Sequence, residues 1–246
     1  MRRPRLRDGN QLITHELYPL NEIPEELIRK CGASLVYLYY TGMDDIKGDN
    51  WGDVFAEAIG GIHFGKPIGI ADVALNKLCW SMKTVKSSNP FNVTTVRLIS
   101  GRCSPDFSYG ITDPHEDVER TGKAVLSIWN ERVNIANDHY AQVRTSVLVR
   151  SNDLKSYVIY EEDARRFRTT DYYWKVNERG NLEGYDSQNN HKFTWQPHGS
   201  QFTIIEKVPE GAMKFRLRLP DKRLNKTDIL HELKFDNSWV TIVQDN

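Results

Sequence analysis

The stretch 51–86 constrains this chain more than any other. WGDVFAEAIGG carries apolar residues at Trp51, Val54, Phe55, Ala58 and Ile59, a helical spacing, and Gly60-Gly61 closes it. KPIGIADVALN follows as a strand containing a glycine. Asn76-Lys77 is a turn, and LCWSMKTVKS alternates around Trp80, Met82 and Thr84 as a second strand. The pattern predicts a helix feeding a hairpin, with Glu57 on the helix and Asp72 on the first strand. Alternation puts Ser81 and Lys83 on one face of the second strand, where Asp72 and Lys83 can converge.

The charge pattern singles out the same region. Lys+Arg and Asp+Glu are each 33, so the chain is neutral overall, which excludes a polybasic protein whose affinity rests on bulk charge. Between residues 54 and 105, however, six basic residues (Lys66, Lys77, Lys83, Lys86, Arg97, Arg102) face two acids, Glu57 and Asp72. Such a window suits a surface that meets an anion, or buried strands that exclude charge of either sign.

The rest of the chain reads as mixed α and β. NEIPEELIRKCG is a helix with Gly32 as its stop, and SLVYLYY is too short an apolar run to assign. NVTTVRLISG is a third strand and 106–119 a polar loop. GKAVLSIWNERVNIANDHYAQV is the longest helical pattern, either core or an interface, and TSVLVRS and SYVIYEED are strands after it. From about residue 161 short β segments alternate with turns, and aromatic and basic residues interleave. The expected fold is therefore α/β, a mixed sheet flanked by helices over 1–160 with a β-rich extension over 161–246, either separate or part of one domain. The cysteines, Cys31, Cys79 and Cys103, form no CxxC pair and no zinc spacing. MRRPRLRDGNQ has no apolar run behind its basic residues, and no run reaches membrane-spanning length, so a cytoplasmic, non-membrane protein is expected.

A carboxylate that holds a hard divalent cation, beside a lysine that stabilises developing negative charge, is chemistry suited to phosphodiester hydrolysis. A cross-strand ion pair between Asp72 and Lys83 would leave the same sequence pattern. On AEAIGG with Glu57, IAD with Asp72 and WSMK with Ser81 and Lys83, the chain resembles the PD-(D/E)xK nuclease superfamily, restriction endonucleases most closely. The resemblance covers 51–86. Ser81 stands where that family has an acid. A subset of restriction enzymes shares this serine and draws its second carboxylate from a helix downstream of the lysine. No acid occurs here between Lys83 and Asp106. Glu57, then Glu131 on the long helix, are the candidates for that carboxylate.

The resemblance implies a type II restriction endonuclease: Mg²⁺-dependent, sequence-specific cleavage of double-stranded DNA by a homodimer. Asp72 and Glu57 would hold the metal, Lys83 would support the attacking water, and Ser81 would be a minor contact. A structure-specific repair or recombination nuclease and a non-catalytic DNA-binding protein of the same fold are the alternatives. His63 is a loop histidine or a base near the metal. Lys86, Arg97 and Arg102 are candidate phosphate contacts. Arg165, Arg166, Arg168, Asn189, Asn190, Lys192, Arg216 and Arg218 carry side chains able to read base edges. No P-loop, GxSxG or HExxH motif is present.

Overall fold

The structure is a computed structural model and describes residues 17–243, so the basic opening stretch lies outside the described residues. In chain order its elements are α1 (Glu25–Tyr40), α2 (Gly48–Ile59), β1 (Ile62–Ile68), β2 (Ala71–Leu75), β3 (Leu78–Ser87) and β4 (Thr95–Arg102). There follow α3 (Pro105–Tyr109), α4 (Val118–His139), β5 (Gln142–Ser151), β6 (Ser156–Asp163), β7 (Tyr172–Val176) and β8 (Leu182–Asp186). The last are β9 (His191–Gln196), β10 (Gln201–Lys207), β11 (Met213–Arg216) and α5 (Lys226–Glu232).

The strands form two sheets. The first has six strands in the order β1-β2-β3-β5-β6-β11, and the second five in the order β4-β10-β9-β8-β7. In the first sheet β3 and β5 run parallel, from Leu78 beside Gln142 to Ser87 beside Ser151, and the other pairs are antiparallel. Its sequence shows why it is buried on both faces. On β3, Trp80 and Met82 pack with Leu35, Trp51 and Phe55 of α1 and α2, while Cys79 packs on the other side with Val125 and Trp129 of α4. On β5 and β6, Val147, Val149, Val158 and Tyr160 meet Val96 and Leu98 of β4. The fold is α/β: two helices, a mixed sheet, then α4 and the second sheet.

Two local expectations differ from what forms, and a third, open between core and interface, is decided. Gly32 does not stop α1, which continues through SLVYLYY. Gly32 is buried, and a β-carbon there would come within 3.2 Å of Leu217, so the glycine serves close packing inside the helix. The run KPIGIADVALN is two strands, because Gly69 takes φ +64° and reverses the chain between β1 and β2. The long helix is core: Val125, Leu126, Trp129, Val133 and Ala136 are all buried.

The division at 160/161 falls inside β6, and the two sheets interleave along the chain. β4, from the first part, pairs with β10, and β11, from the last part, returns to pair with β6. Among the described residues no helix is long and apolar enough to cross a membrane.

Candidate active site on the β2–β3 hairpin

The hairpin places its polar residues through register. Val73 lies beside Trp80 and Ala74 beside Cys79, so Asp72 comes opposite Ser81. Both point to the face that carries α4 and the second sheet. Asp72 Oδ2 accepts the backbone N–H of Met82 at 2.8 Å and the Ser81 hydroxyl at 3.3 Å, and lies 3.9 Å from Lys83 Nζ. None of these contacts uses Oδ1. The expected convergence of Asp72, Ser81 and Lys83 is thus present, with Ser81 acting as a donor that holds the carboxylate.

Lys83 is deeply set, with 15% of its side chain exposed against 24% for Asp72. Burial pushes the lysine pKa down. The Asp72 carboxylate opposes that shift and the Arg132 guanidinium adds to it. Beyond the lysine a cavity of about 20 Å³, room for one water, is lined by residues including Leu98, Trp129, Glu162 and Glu206.

Arg132 is a member of this neighbourhood that sequence reading missed. From α4 its guanidinium reaches the Gly69 carbonyl at 3.3 Å, Ser100 at 3.3 Å and Arg102 at 3.4 Å. It ties the turn before β2 to the end of β4. Its helical position next to Glu131 gave no sign of this, since the partners are backbone oxygens distant in sequence.

The structure does not bring Glu57 to Asp72. Glu57 accepts a hydrogen bond from Ser34 of α1 at 3.0 Å, on the side of the sheet where Trp80 and Met82 point. Strand alternation sends Asp72, Ser81 and Lys83 the other way, so the assignment of Glu57 as partner ligand is corrected. Glu131 is exposed on α4 and accepts from Asn134 at 3.0 Å. His63 lies on β1 rather than in a loop, with Nδ1 2.7 Å from Asp53 and its ring against Gly52. Among the described residues no three His, Cys, Asp or Glu side chains are placed to hold a metal ion. Cys31, Cys79 and Cys103 are free and buried, and burial lifts their thiols to about 12.

The residues proposed to touch DNA are spread over several surfaces. Lys86 is exposed on β3 and points opposite to Lys83, as its spacing predicts, and Arg102 is exposed at the end of β4. Arg97 lies on the outer face of the second sheet and donates to Thr194 at 2.7 Å. Arg165 pairs with Glu206 at 2.9 Å and Glu162 at 3.6 Å, Arg166 donates to Asn134 at 3.0 Å, and Arg168 is exposed nearby. Asn189 and Asn190 build the β8–β9 turn: Asn189 accepts from Tyr173, and Asn190 donates to Asp186 at 2.8 and 3.0 Å. Lys192 follows on β9 and is half-buried. Arg216 covers the Phe91 ring at 5.1 Å, and Arg218 lines a groove beside α1.

Magnesium takes oxygen ligands and commonly holds one or two carboxylates, with water and substrate phosphate completing its shell. Asp72, with Oδ1 outside the hairpin contacts, fits the protein's share of a site completed by phosphate. Comparison with protein-family models, curated proteins and solved structures finds no match.

Proposed function

We propose that this chain is a Mg²⁺-dependent DNA endonuclease of the PD-(D/E)xK type, acting as a type II restriction enzyme in the cytoplasm. One observation carries the reading: Asp72, Ser81 and Lys83 meet on one partly buried face of a hairpin, the lysine 3.9 Å from the carboxylate. A bound Mg²⁺ would polarise the phosphoryl oxygen and acidify a water. Asp72 would hold it, its orientation fixed by the Met82 N–H and the Ser81 hydroxyl. Lys83 would stabilise negative charge developing on the phosphate, an effect strengthened by its low-dielectric surroundings.

The test is digestion of unmethylated phage DNA with Mg²⁺, comparing the wild type with Asp72→Asn and Lys83→Ala. Discrete fragments from the wild type, lost in both variants while their melting stays cooperative, are expected. Loss of cleavage on removal of the divalent ion, and its return with Mg²⁺ or Mn²⁺, is expected as well.

A second reading, a non-catalytic DNA-binding protein of the same fold, also has specific support. The hairpin supplies a single carboxylate, and Leu98 and Trp129 line the small cavity beyond Lys83. On that reading DNA binding weakens steeply with salt, and no divalent ion elicits cleavage.

A further inference from the structure

At the small cavity beside Lys83 the two sheets meet acid against acid. Glu162 on β6 and Glu206 on β10 both turn inward, with 22% and 8% of their side chains exposed. A single nitrogen stands between them. Arg165 Nη2 lies 2.9 Å from Glu206 Oε1 and 3.6 Å from Glu162 Oε2, so one point is flanked by a carboxylate oxygen from each sheet. Two carboxylates held away from water carry two charges, and the guanidinium offsets one. Its side chain is 55% exposed and can swing into solvent. The other cations here are placed elsewhere: Lys83 lies 3.9 Å from Asp72, and Lys192 acts on Glu162 from the half-buried edge without forming an ion pair among the described residues.

A second observation points to a ligand at the same place. Thr145 lies beside Glu162 in the β5–β6 register and lines the cavity of about 20 Å³ together with both glutamates. Thr145 is 8% exposed, and among the described residues its hydroxyl makes no hydrogen bond. Tyr160, two residues before Glu162 and on the same face, also buries its hydroxyl without a partner, within electrostatic reach of both glutamates. Buried hydroxyls left unpaired cost free energy, and a cation that takes an oxygen lone pair offsets that cost. Hard divalent cations prefer such a set: one or two carboxylates, neutral oxygens and water.

We propose that Glu162 and Glu206 hold a hard divalent cation, Mg²⁺ or Ca²⁺, at the point taken here by Arg165 Nη2, with the Thr145 hydroxyl beside it and water completing the shell. The ion fastens β6 of the first sheet to β10 of the second. It is separate from any ion at Asp72, and the inference stands apart from the nuclease reading. In metal-free buffer a proton offsets the same charge, in keeping with the raised pKa of Glu162.

Terbium(III), a hard cation close to Ca²⁺ in size that emits when excited through a nearby tryptophan, is the probe, and Trp129 lines the same cavity. Titrated into the metal-free full chain, it is expected to give emission that Ca²⁺ or Mg²⁺ displaces. Glu162→Gln and Glu206→Gln keep the side-chain shape and should each weaken binding by at least about tenfold. Asp72→Asn should leave it in place, and Arg165→Gln, which removes the competing guanidinium at an exposed position, should tighten it. Saturating Ca²⁺ should raise the melting temperature of the wild type and not that of Glu206→Gln. Absence of binding overturns the proposal, as does indifference to either glutamate or to Arg165→Gln, or a melting temperature that Ca²⁺ does not move. An ion lost with Asp72→Asn and kept in both glutamine variants belongs to the hairpin, which supports the nuclease reading and overturns this one.

Discussion

Glu162 sits beside the cavity behind Lys83, and its environment sets a measurable pH dependence. Burial, and then the Glu206 carboxylate, lift its pKa from the ordinary 4.5 to about 7, against the pull of Arg165 and Lys192. The native chain therefore holds a proton there that the unfolded chain releases. Stability contributed by this proton is present at low pH and declines as pH rises from 4.5 towards 7, by about 3 kcal/mol over the full shift. In Glu162→Gln that decline should vanish, so urea midpoints between pH 5 and 8 should fall less steeply than in the wild type. Parallel midpoint curves for the two proteins would count against the assignment. None of this was legible in SYVIYEED, where Glu161 and Glu162 look alike. Alternation separates them: Glu161 turns to the helix side and accepts Tyr18, Trp80 and Arg144 at 2.7, 2.8 and 3.1 Å, while Glu162 turns to the second sheet. The Asp72–Ser81–Lys83 grouping was legible because it needs only the period of a strand and one tight turn. Glu57 misled because helical periodicity fixes which residues share a stripe and leaves open which face of a sheet the helix covers.

At the scale of elements, α4 holds the two sheets together, and it packs tightly against the second at Gly122. A β-carbon on Gly122 would lie 2.2 Å from the Trp174 ring of β7, and Trp174 packs in turn on Phe193. Gly122→Ala should raise helix propensity yet destabilise the protein by about 1–3 kcal/mol through overpacking, read as a lowered melting temperature. An unchanged or raised melting temperature would show that α4 can shift without cost. The helix itself was legible from Val125, Ile128, Trp129 and Val133. The tight approach was not, since a glycine in a helical pattern gives no hint of a ring from a strand fifty residues on. The split of KPIGIADVALN was missed for a related reason. Its β-branched run continues across Gly69, and only the left-handed φ shows the reversal.

At the scale of the molecule, the interleaving of the sheets makes the two parts interdependent. A fragment of residues 1–160 would lack β10, which pairs with β4 from Gln201 to Lys207, and would lack β11 beside β6. It would also expose the apolar side of α4 that Trp174, Phe193 and Phe202 cover. Such a fragment should give poorly dispersed amide spectra and no cooperative melt. A cooperative melt would show that the first sheet is sufficient alone. The change of character near residue 161 was visible in composition, but pairing between distant strands was not, because composition carries no register. The parallel ladder between β3 and β5 adds a consequence in time. Its strands close only after the whole of 88–141 has been looped out, whereas β2 and β3 meet across a tight turn. Loop closure delays the distant pairing relative to the local one. The carboxylate, its hydroxyl and amide donors and the lysine thus assemble on a hairpin early in folding. Trp129 and Leu98, which line the cavity beside Lys83, arrive later, so this polar cluster is laid down before the apolar wall behind its lysine.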